Sequence, residues 1–153
     1  MVELESSSPE ETERIAAAVA RRLAAGDVVT VAGELGAGKT TFVRGAARAL
    51  GIEGPVTSPT YVIGHRYAGE PDVSHLDLYR YEGMSDAEWG DLEGYFEQAV
   101  VFVEWPEAGE RFLPVPRVRV RLRHHGDGNR LVVLESSEKS LEIDLSTGAD
   151  PRV

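Results

Sequence analysis

The stretch "DVVTVAGELGAGKTTFVRGAARAL", residues 27–50, places a strand pattern, a glycine-rich segment and a helix pattern in direct succession. Residues 28–32 form a nearly continuous apolar and β-branched run, which is typical of a strand buried on both faces of a parallel sheet. Residues 40–50 have a helical pattern that ends at Gly51. This succession predicts an α/β fold with a mixed, mostly parallel central sheet and flanking helices.

The glycine-rich segment between strand and helix has the spacing of a phosphate-binding loop. Gly33, Gly38, Lys39 and Thr40 match G-x-x-x-x-G-K-[ST] in the strand–helix context that this pattern requires. Glycines allow backbone N–H groups to close on phosphate oxygens, and the helix start presents unpaired N–H groups to the anion. A chain of this composition would contain roughly 0.002 such matches by chance. The segment therefore predicts a P-loop NTPase-type domain.

The loop residues have separate predicted roles. Lys39 places a positive charge on the β and γ phosphates during catalysis, and the Thr40 hydroxyl supplies an oxygen to Mg²⁺. The chain has no N-K-x-D guanine motif, so ATP is the expected nucleotide. The loop residues predicted to contact ATP are Gly33, Glu34, Leu35, Gly36, Ala37, Gly38, Lys39, Thr40 and Thr41.

Two acidic residues are candidates for the metal and for the attacking water. Glu104 follows the buried-strand pattern "VVFV", so its carboxylate is expected where ligands bind to open α/β sheets. Asp77 lies in "HLDLYR", with His75 and Tyr79 on the same face of an alternating segment. Each acid could instead pair with an arginine. His75 is expected to be a hydrogen-bonded structural residue rather than a ligand, because Mg²⁺ prefers oxygen.

Three further features carry competing interpretations. Asp91 and Gly94 form D-x-x-G, but they lie in a helical pattern, so we discount a GTPase switch. "SPTY", residues 58–61, is either a switch in which Thr60 senses the γ-phosphate or an ordinary turn. Trp105 is either a reporter of nucleotide binding or a core residue.

The remaining elements fit one domain over residues 1–145, followed by a flexible tail over residues 146–153. A helix is expected to begin after Ser8 and to end at Gly26. Ser8 is its predicted N-cap, and Glu11 completes a capping box with it. Two strand-like stretches on either side of "EPD" predict a hairpin, and a second capping box precedes the helix after residue 85. "RVRVRLRHHGDGNRLVVLES" predicts a C-terminal antiparallel hairpin.

Composition limits the surroundings and partners of the chain. No apolar run approaches the roughly 20 residues of a membrane span, and no secretory signal is visible, so a cytoplasmic location without membrane contact is expected. The net charge of −10 disfavours binding of nucleic acid over the whole surface. The arginines of "RVRVRLR" could still form a local tRNA-binding face, although a solvated strand face is the favoured interpretation.

With these motifs assembled, the chain resembles the TsaE family, the small ATPases of bacterial tRNA threonylcarbamoyladenosine biosynthesis. The resemblance rests on "GELGAGKTTFVRG", "SPTY", "HLDLYR" and "VEWPE" in this order, and it covers about residues 8–135. It implies a weak ATPase that works with TsaD and TsaB, the pair that transfers threonylcarbamoyl to an adenosine of tRNA. A small-molecule P-loop kinase is the alternative function, since this length would suit one as well.

The resemblance also implies site residues. Thr40 and Glu104 would hold Mg²⁺, Asp77 would be needed for hydrolysis, and Thr60 would lie in the switch-like loop. Family members also approach the nucleotide from the positions that correspond here to Glu11, Thr12, Glu107 and Arg130.

Overall fold

A computed structural model of the chain describes residues 1–59 and 63–152. We number its strands and helices in chain order. They are β1 (Val2–Ser6), α1 (Pro9–Ala20), β2 (Val28–Gly33), α2 (Lys39–Ala49), β3 (Gly64–Tyr67), β4 (Asp72–Asp77), α3 (Asp86–Leu92), β5 (Ala99–Glu104), β6 (Val118–His124), β7 (Arg130–Glu135) and α4 (Lys139–Gly148). Short 3₁₀ helices cover Glu93–Phe96 and Pro106–Gly109.

Within the described residues, the seven strands form one mixed sheet in the order β1-β7-β6-β2-β5-β4-β3. The centre is parallel, because β2 pairs in parallel with both β5 and β6, and β4 pairs in parallel with β5. The pairs at the two edges, β1–β7, β6–β7 and β3–β4, are antiparallel. The predicted α/β fold, the hairpin before α3 and the C-terminal hairpin are confirmed.

The two faces of the sheet are covered unequally. On one face, a single apolar cluster joins side chains of α1, α2 and α4 to every described strand, with β3 contributing the partly buried Tyr67. On the other face, a smaller cluster around α3 and the 3₁₀ helices covers mainly β4 and β5. Beyond β2, strand β6 alternates buried and exposed residues along its length. The second face of β6, β7 and β1 therefore lies open.

Helices α1 and α2 approach each other closely at Gly45. A Cβ atom at this position would lie 2.6 Å from the Cα atom of Glu13, which is closer than real Cβ contacts allow. Glycine is needed here for the distance between the two helices rather than for an unusual φ angle. The close packing fixes α2, and with it the loop that precedes α2, on the sheet.

The predicted helix start is confirmed, but the predicted helix end is wrong. Ser8 caps α1 by accepting a hydrogen bond from the N–H of Glu11, at 3.1 Å. The Glu11 carboxylate accepts from Ser7 rather than from the cap residue itself, at 2.9 Å. Helix α1 ends at Ala20 instead of Gly26. The chain turns before β2, where the Asp27 carboxylate accepts from the N–H of Ala24 at 2.8 Å.

Two elements have no counterpart in the sequence predictions. Strand β1 pairs with the outer edge of β7. Helix α4 crosses the predicted boundary at residue 145, continuing to Gly148, and Ala149 after it is buried. Flexibility of residues 146–153 stays a prediction. None of the helices within residues 1–59 and 63–152 combines the length and the apolar character that a membrane crossing requires.

Candidate functional site

The glycine-rich loop joins β2 to α2 at the parallel centre of the sheet. Gly33 ends β2 with a φ of 151°, and a Cβ atom there would collide with the backbone carbonyl of Leu122 on β6. Gly38 is the N-cap residue of α2 in the left-handed conformation, with a φ of 100°. No side chain of residues 1–59 and 63–152 caps this helix start. Its first N–H groups and the positive end of its dipole are therefore available to an anion.

The Lys39 side chain is held against its own loop. Its Nζ atom donates to the carbonyl oxygens of Gly33 and Glu34, at 2.7 and 2.9 Å, and lies 4.4 Å from the centre of the Trp105 ring. Burial lowers the pKa of the Lys39 ammonium, and the nearby carboxylates, Glu104 first among them, oppose that shift. An ammonium has three N–H donors, so one remains for a bound anion.

Glu104 ends β5 as a buried carboxylate, 3% exposed, with two partners on one oxygen. Its Oε2 atom accepts from the Thr40 hydroxyl at 3.3 Å and from Nε2 of the buried His75 at 2.5 Å. Hydroxyl and carboxylate oxygens are the donors that Mg²⁺ prefers, so this pair fits the predicted metal site. No group of three His, Cys, Asp or Glu residues suited to a metal occurs in the described part of the chain. A metal held here would depend on phosphate and water oxygens for its other ligands.

Asp77 lies beside Glu104, because the two residues are register partners on the parallel strands β4 and β5. Burial raises the pKa of the Asp77 carboxyl, and the neighbouring Glu104 raises it further. A hydrogen bond from the N–H of Tyr79 to Oδ1, at 2.9 Å, acts in the opposite direction. Two acids thus stand at the carboxyl ends of adjacent strands, facing the loop.

These groups surround one pocket of about 350 Å³. The sequence predicted all of its lining residues as site residues except two. Ser58 belongs to the "SPTY" stretch, in which Thr60 was the candidate, and Trp105 had two competing interpretations. The lining residues are Leu35, Gly36, Gly38, Lys39, Thr40, Thr41, Ser58, Asp77, Glu104 and Trp105. The predicted loop residues Gly33, Glu34 and Ala37 belong to the same turn but do not line the pocket.

The remaining predicted contacts lie further out. Thr12 is buried, with its hydroxyl 2.6 Å from that of Ser6, and Glu11 is bonded to Ser7. Glu107 is exposed on the second 3₁₀ helix. Arg130 reaches the loop, because its Nη2 atom donates to the Gly36 carbonyl at 3.2 Å. Thr60 lies outside the described residues. The assignment of all these residues to the nucleotide stays a prediction.

The sequence predictions missed two contacts in the site. They left His75 as a structural residue without identifying its partner, which is the Glu104 carboxylate. They also missed that the rings of Tyr79 and Trp105 meet, with centroids 4.9 Å apart. The alternation that places His75, Asp77 and Tyr79 on one face was the available signal.

Comparisons with known proteins agree on one family. The TsaE family model, described as threonylcarbamoyl adenosine biosynthesis protein TsaE, matches residues 6–132. The tRNA threonylcarbamoyladenosine biosynthesis protein TsaE of Bacillus subtilis is 42% identical over 137 residues, covering 89% of this chain and 86% of that protein. The protein of the same description from Streptomyces coelicolor is 44% identical over 108 residues, covering 68% and 73%. The crystal structure of YdiB from Bacillus subtilis superposes with a TM-score of 0.78 at 35% identity, covering 95% of this chain and 93% of that one.

Proposed function

This chain belongs to the TsaE family of tRNA threonylcarbamoyladenosine biosynthesis proteins, and from that premise we propose that it is a weak, Mg²⁺-dependent ATPase acting with TsaD and TsaB. The observation that carries the proposal is the pocket itself. A glycine loop at a helix start, the Lys39 ammonium and the paired Thr40 and Glu104 side chains meet beside a second acid, Asp77. Phosphoryl transfer to water needs this set of groups.

The loop would bind the triphosphate through its N–H groups. Because the carbonyls of Gly33 and Glu34 hold the Lys39 ammonium in place, it needs little reorganisation to donate to a phosphate oxygen. Thr40 and Glu104 would hold Mg²⁺, which neutralises charge developing on the phosphates when it is bound. Trp105, which lines the pocket beside Lys39, would report binding by fluorescence.

Asp77 would orient the attacking water and accept its proton. The raised pKa of its carboxyl makes it a better proton acceptor than an exposed aspartate, while the Tyr79 N–H fixes its direction. Thr60, from the predicted switch loop, would sense the γ-phosphate. A kinase usually adds arginines over the phosphates, and no arginine lines the pocket in residues 1–59 and 63–152.

The test uses the purified chain with ATP and Mg²⁺, alone and together with TsaD, TsaB, tRNA and the threonylcarbamoyl donor. We expect slow ATP hydrolysis by the chain alone and a larger number of tRNA modification turnovers when it joins TsaD and TsaB. The tRNA would be reached through that complex. Rapid phosphorylation of a metabolite would instead establish the kinase alternative, and failure to bind ATP would reject both functions.

Replacing His75 with leucine is expected to weaken Mg²⁺ binding specifically, so that a higher Mg²⁺ concentration is needed for hydrolysis. His75 bonds the same Glu104 oxygen that Thr40 contacts, so it fixes the carboxylate that would hold the metal. Loss of such supporting contacts typically costs about 10–100-fold in metal affinity. The measurement is the Mg²⁺ concentration that gives half-maximal hydrolysis, together with ATP affinity measured in EDTA, which should not change.

His75→Gln is the matched control, because its amide can still donate to Glu104 and should recover part of the loss. Thermal unfolding of both variants reports whether the buried site still folds. An unchanged Mg²⁺ requirement in folded His75→Leu protein would show that this residue has only a packing role.

A further inference from the structure

The open face of the sheet carries a row of three arginines. Arg119, Arg121 and Arg123 are exposed on β6, whereas the residues between them point into the core on the other face. This agrees with the solvated strand face predicted from the sequence. None of the three side chains makes a hydrogen bond or an ion pair with any residue in the described part of the chain. We call these residues the arginine row.

The arginine row forms one side of a groove of about 580 Å³. Residues 113–116, "LPVP", also line the groove as an apolar wall, and Val115 there is 78% exposed. The floor includes Thr30 and Ala32 of β2. The groove therefore joins a cationic row to an apolar wall, on the part of the sheet that α3 and the 3₁₀ helices leave uncovered.

Acidic residues surround the row and restrict what can bind. Glu135 lies on the neighbouring strand β7, opposite Arg119 in the register, and Glu3 lies on β1 beyond β7. Glu107 and Glu110 also line the groove. A nucleic acid presents a negative charge at every nucleotide, so its backbone would meet these carboxylates as well as a chain of net charge −10. A ligand whose negative charges contact the arginines alone keeps those charges away from the carboxylates and so avoids this repulsion.

The spacing of the row matches an extended peptide. Alternate residues of a strand are about 6.6–6.8 Å apart and point to the same side. The three arginines therefore have this spacing, and so do alternate side chains of an extended segment that runs parallel to β6. Acidic side chains at every second position would meet the three arginines in turn. The residues between them point to the other side of the segment, where apolar side chains are available to contact the "LPVP" residues that also line the groove.

We propose that this groove binds an extended segment of a partner protein that carries acidic residues at alternate positions, with apolar residues between them. Charge complementarity with the arginine row gives the register, and the "LPVP" wall supplies apolar contact. The surface lies on the face of the sheet opposite α2, and the row itself contributes no residue to the nucleotide pocket. Among the groove residues, Glu107 is also a predicted nucleotide contact, so the test changes only residues of the arginine row.

The experiment measures binding of a fluorescent peptide of alternating glutamate and valine by anisotropy at low and moderate salt. The same peptide with glutamine for glutamate and a single-stranded oligonucleotide of equal charge are the comparison ligands. The double variant Arg119→Glu/Arg121→Glu tests the row. The matched control is Arg14→Glu/Arg21→Glu, which changes two exposed arginines at α1 and shifts the net charge by the same amount.

We expect the glutamate peptide to bind the wild type and the control alike, and to lose at least about tenfold in affinity with the row variant. Arg119→Gln/Arg121→Gln should give a smaller loss, and it replaces the reversal if that variant does not fold. No binding to the wild type, equal binding of the glutamine peptide, or equal losses in row and control variants would overturn the proposal. Binding of the oligonucleotide that is tighter than binding of the glutamate peptide and depends on the arginine row would also overturn it. The same holds for a wild-type dimer, seen in sedimentation, that the row variant abolishes and the control variant does not.

Discussion

Replacing Lys39 with alanine is expected to reduce ATP affinity by about 10–100-fold while the protein stays folded. Among the described residues, the Lys39 ammonium is the cation that lines the pocket, and a charge-assisted hydrogen bond contributes about 1.5–3 kcal/mol. The substitution also leaves the carbonyls of Gly33 and Glu34 without their donor, so the loop loses a contact that shapes it. Titration calorimetry with ATP and Mg²⁺ measures the loss directly.

The chain provides a matched control, because Lys139 is its other lysine. The Lys139 side chain is 85% exposed on α4 and pairs only with Glu142 at 3.6 Å, so Lys139→Ala should bind ATP like the wild type. Both variants remove one positive charge. A difference in ATP affinity between them therefore comes from the local contact at Lys39 and not from the change in net charge. An ATP affinity in Lys39→Ala equal to that of the control would rule out the assignment of the loop as a triphosphate site.

The parts of the site that the sequence predicted are those set by local pattern. The loop depends on residues that follow one another in the chain, and its glycines have the positive φ angles that the spacing requires. Glu104 was found because a buried strand delivers its last residue to the ligand-binding edge of an α/β sheet. Asp77 was singled out by the alternation of its segment, and the resemblance to the TsaE family implied its role in hydrolysis.

What the sequence did not predict depends on contacts between distant segments. The pairing of Asp77 opposite Glu104 follows from the register of β4 on β5, which no local pattern encodes. The His75–Glu104 contact follows from the same register. The pairing of β4 with β5 therefore brings the two separately predicted acids together in one site.

The elements that were missed or misplaced have weak local signals. Helix α4 has no capping side chain at its start, and only Leu141 and Leu145 among its apolar residues are buried. Strand β1 alternates buried residues with glutamates, which gives it a short and charged edge. Both elements are stabilised mainly by packing against the rest of the sheet, so their sequences alone do not distinguish them from loops.

Replacing Asp77 with asparagine is expected to leave ATP binding close to that of the wild type and to slow hydrolysis by about 10²–10⁴-fold. The asparagine side chain is almost the same size and can still accept the hydrogen bond from the Tyr79 N–H, so the local geometry is retained. It cannot take a proton from water. Single-turnover hydrolysis and Trp105 fluorescence titration separate the two effects. Equal losses of binding and hydrolysis would contradict this division of roles.

The same substitution should make the folded protein more stable at neutral pH. Folding raises the pKa of the Asp77 carboxyl above its ordinary value of 3.8. At a pH below 3.8 this group therefore contributes to the stability of the folded state, and the contribution is lost as the pH rises through the folded-state pKa. A neutral amide removes the cost of holding a partly buried carboxylate beside Glu104. Thermal unfolding should therefore show a stability gain at pH 7 that shrinks toward pH 3.

The control is Asp91→Asn, at an exposed position on α3, which should show no such gain. A catalytic carboxylate retained at a cost in stability is the pattern expected of a working site, so a loss of stability in Asp77→Asn would argue that Asp77 serves the fold instead.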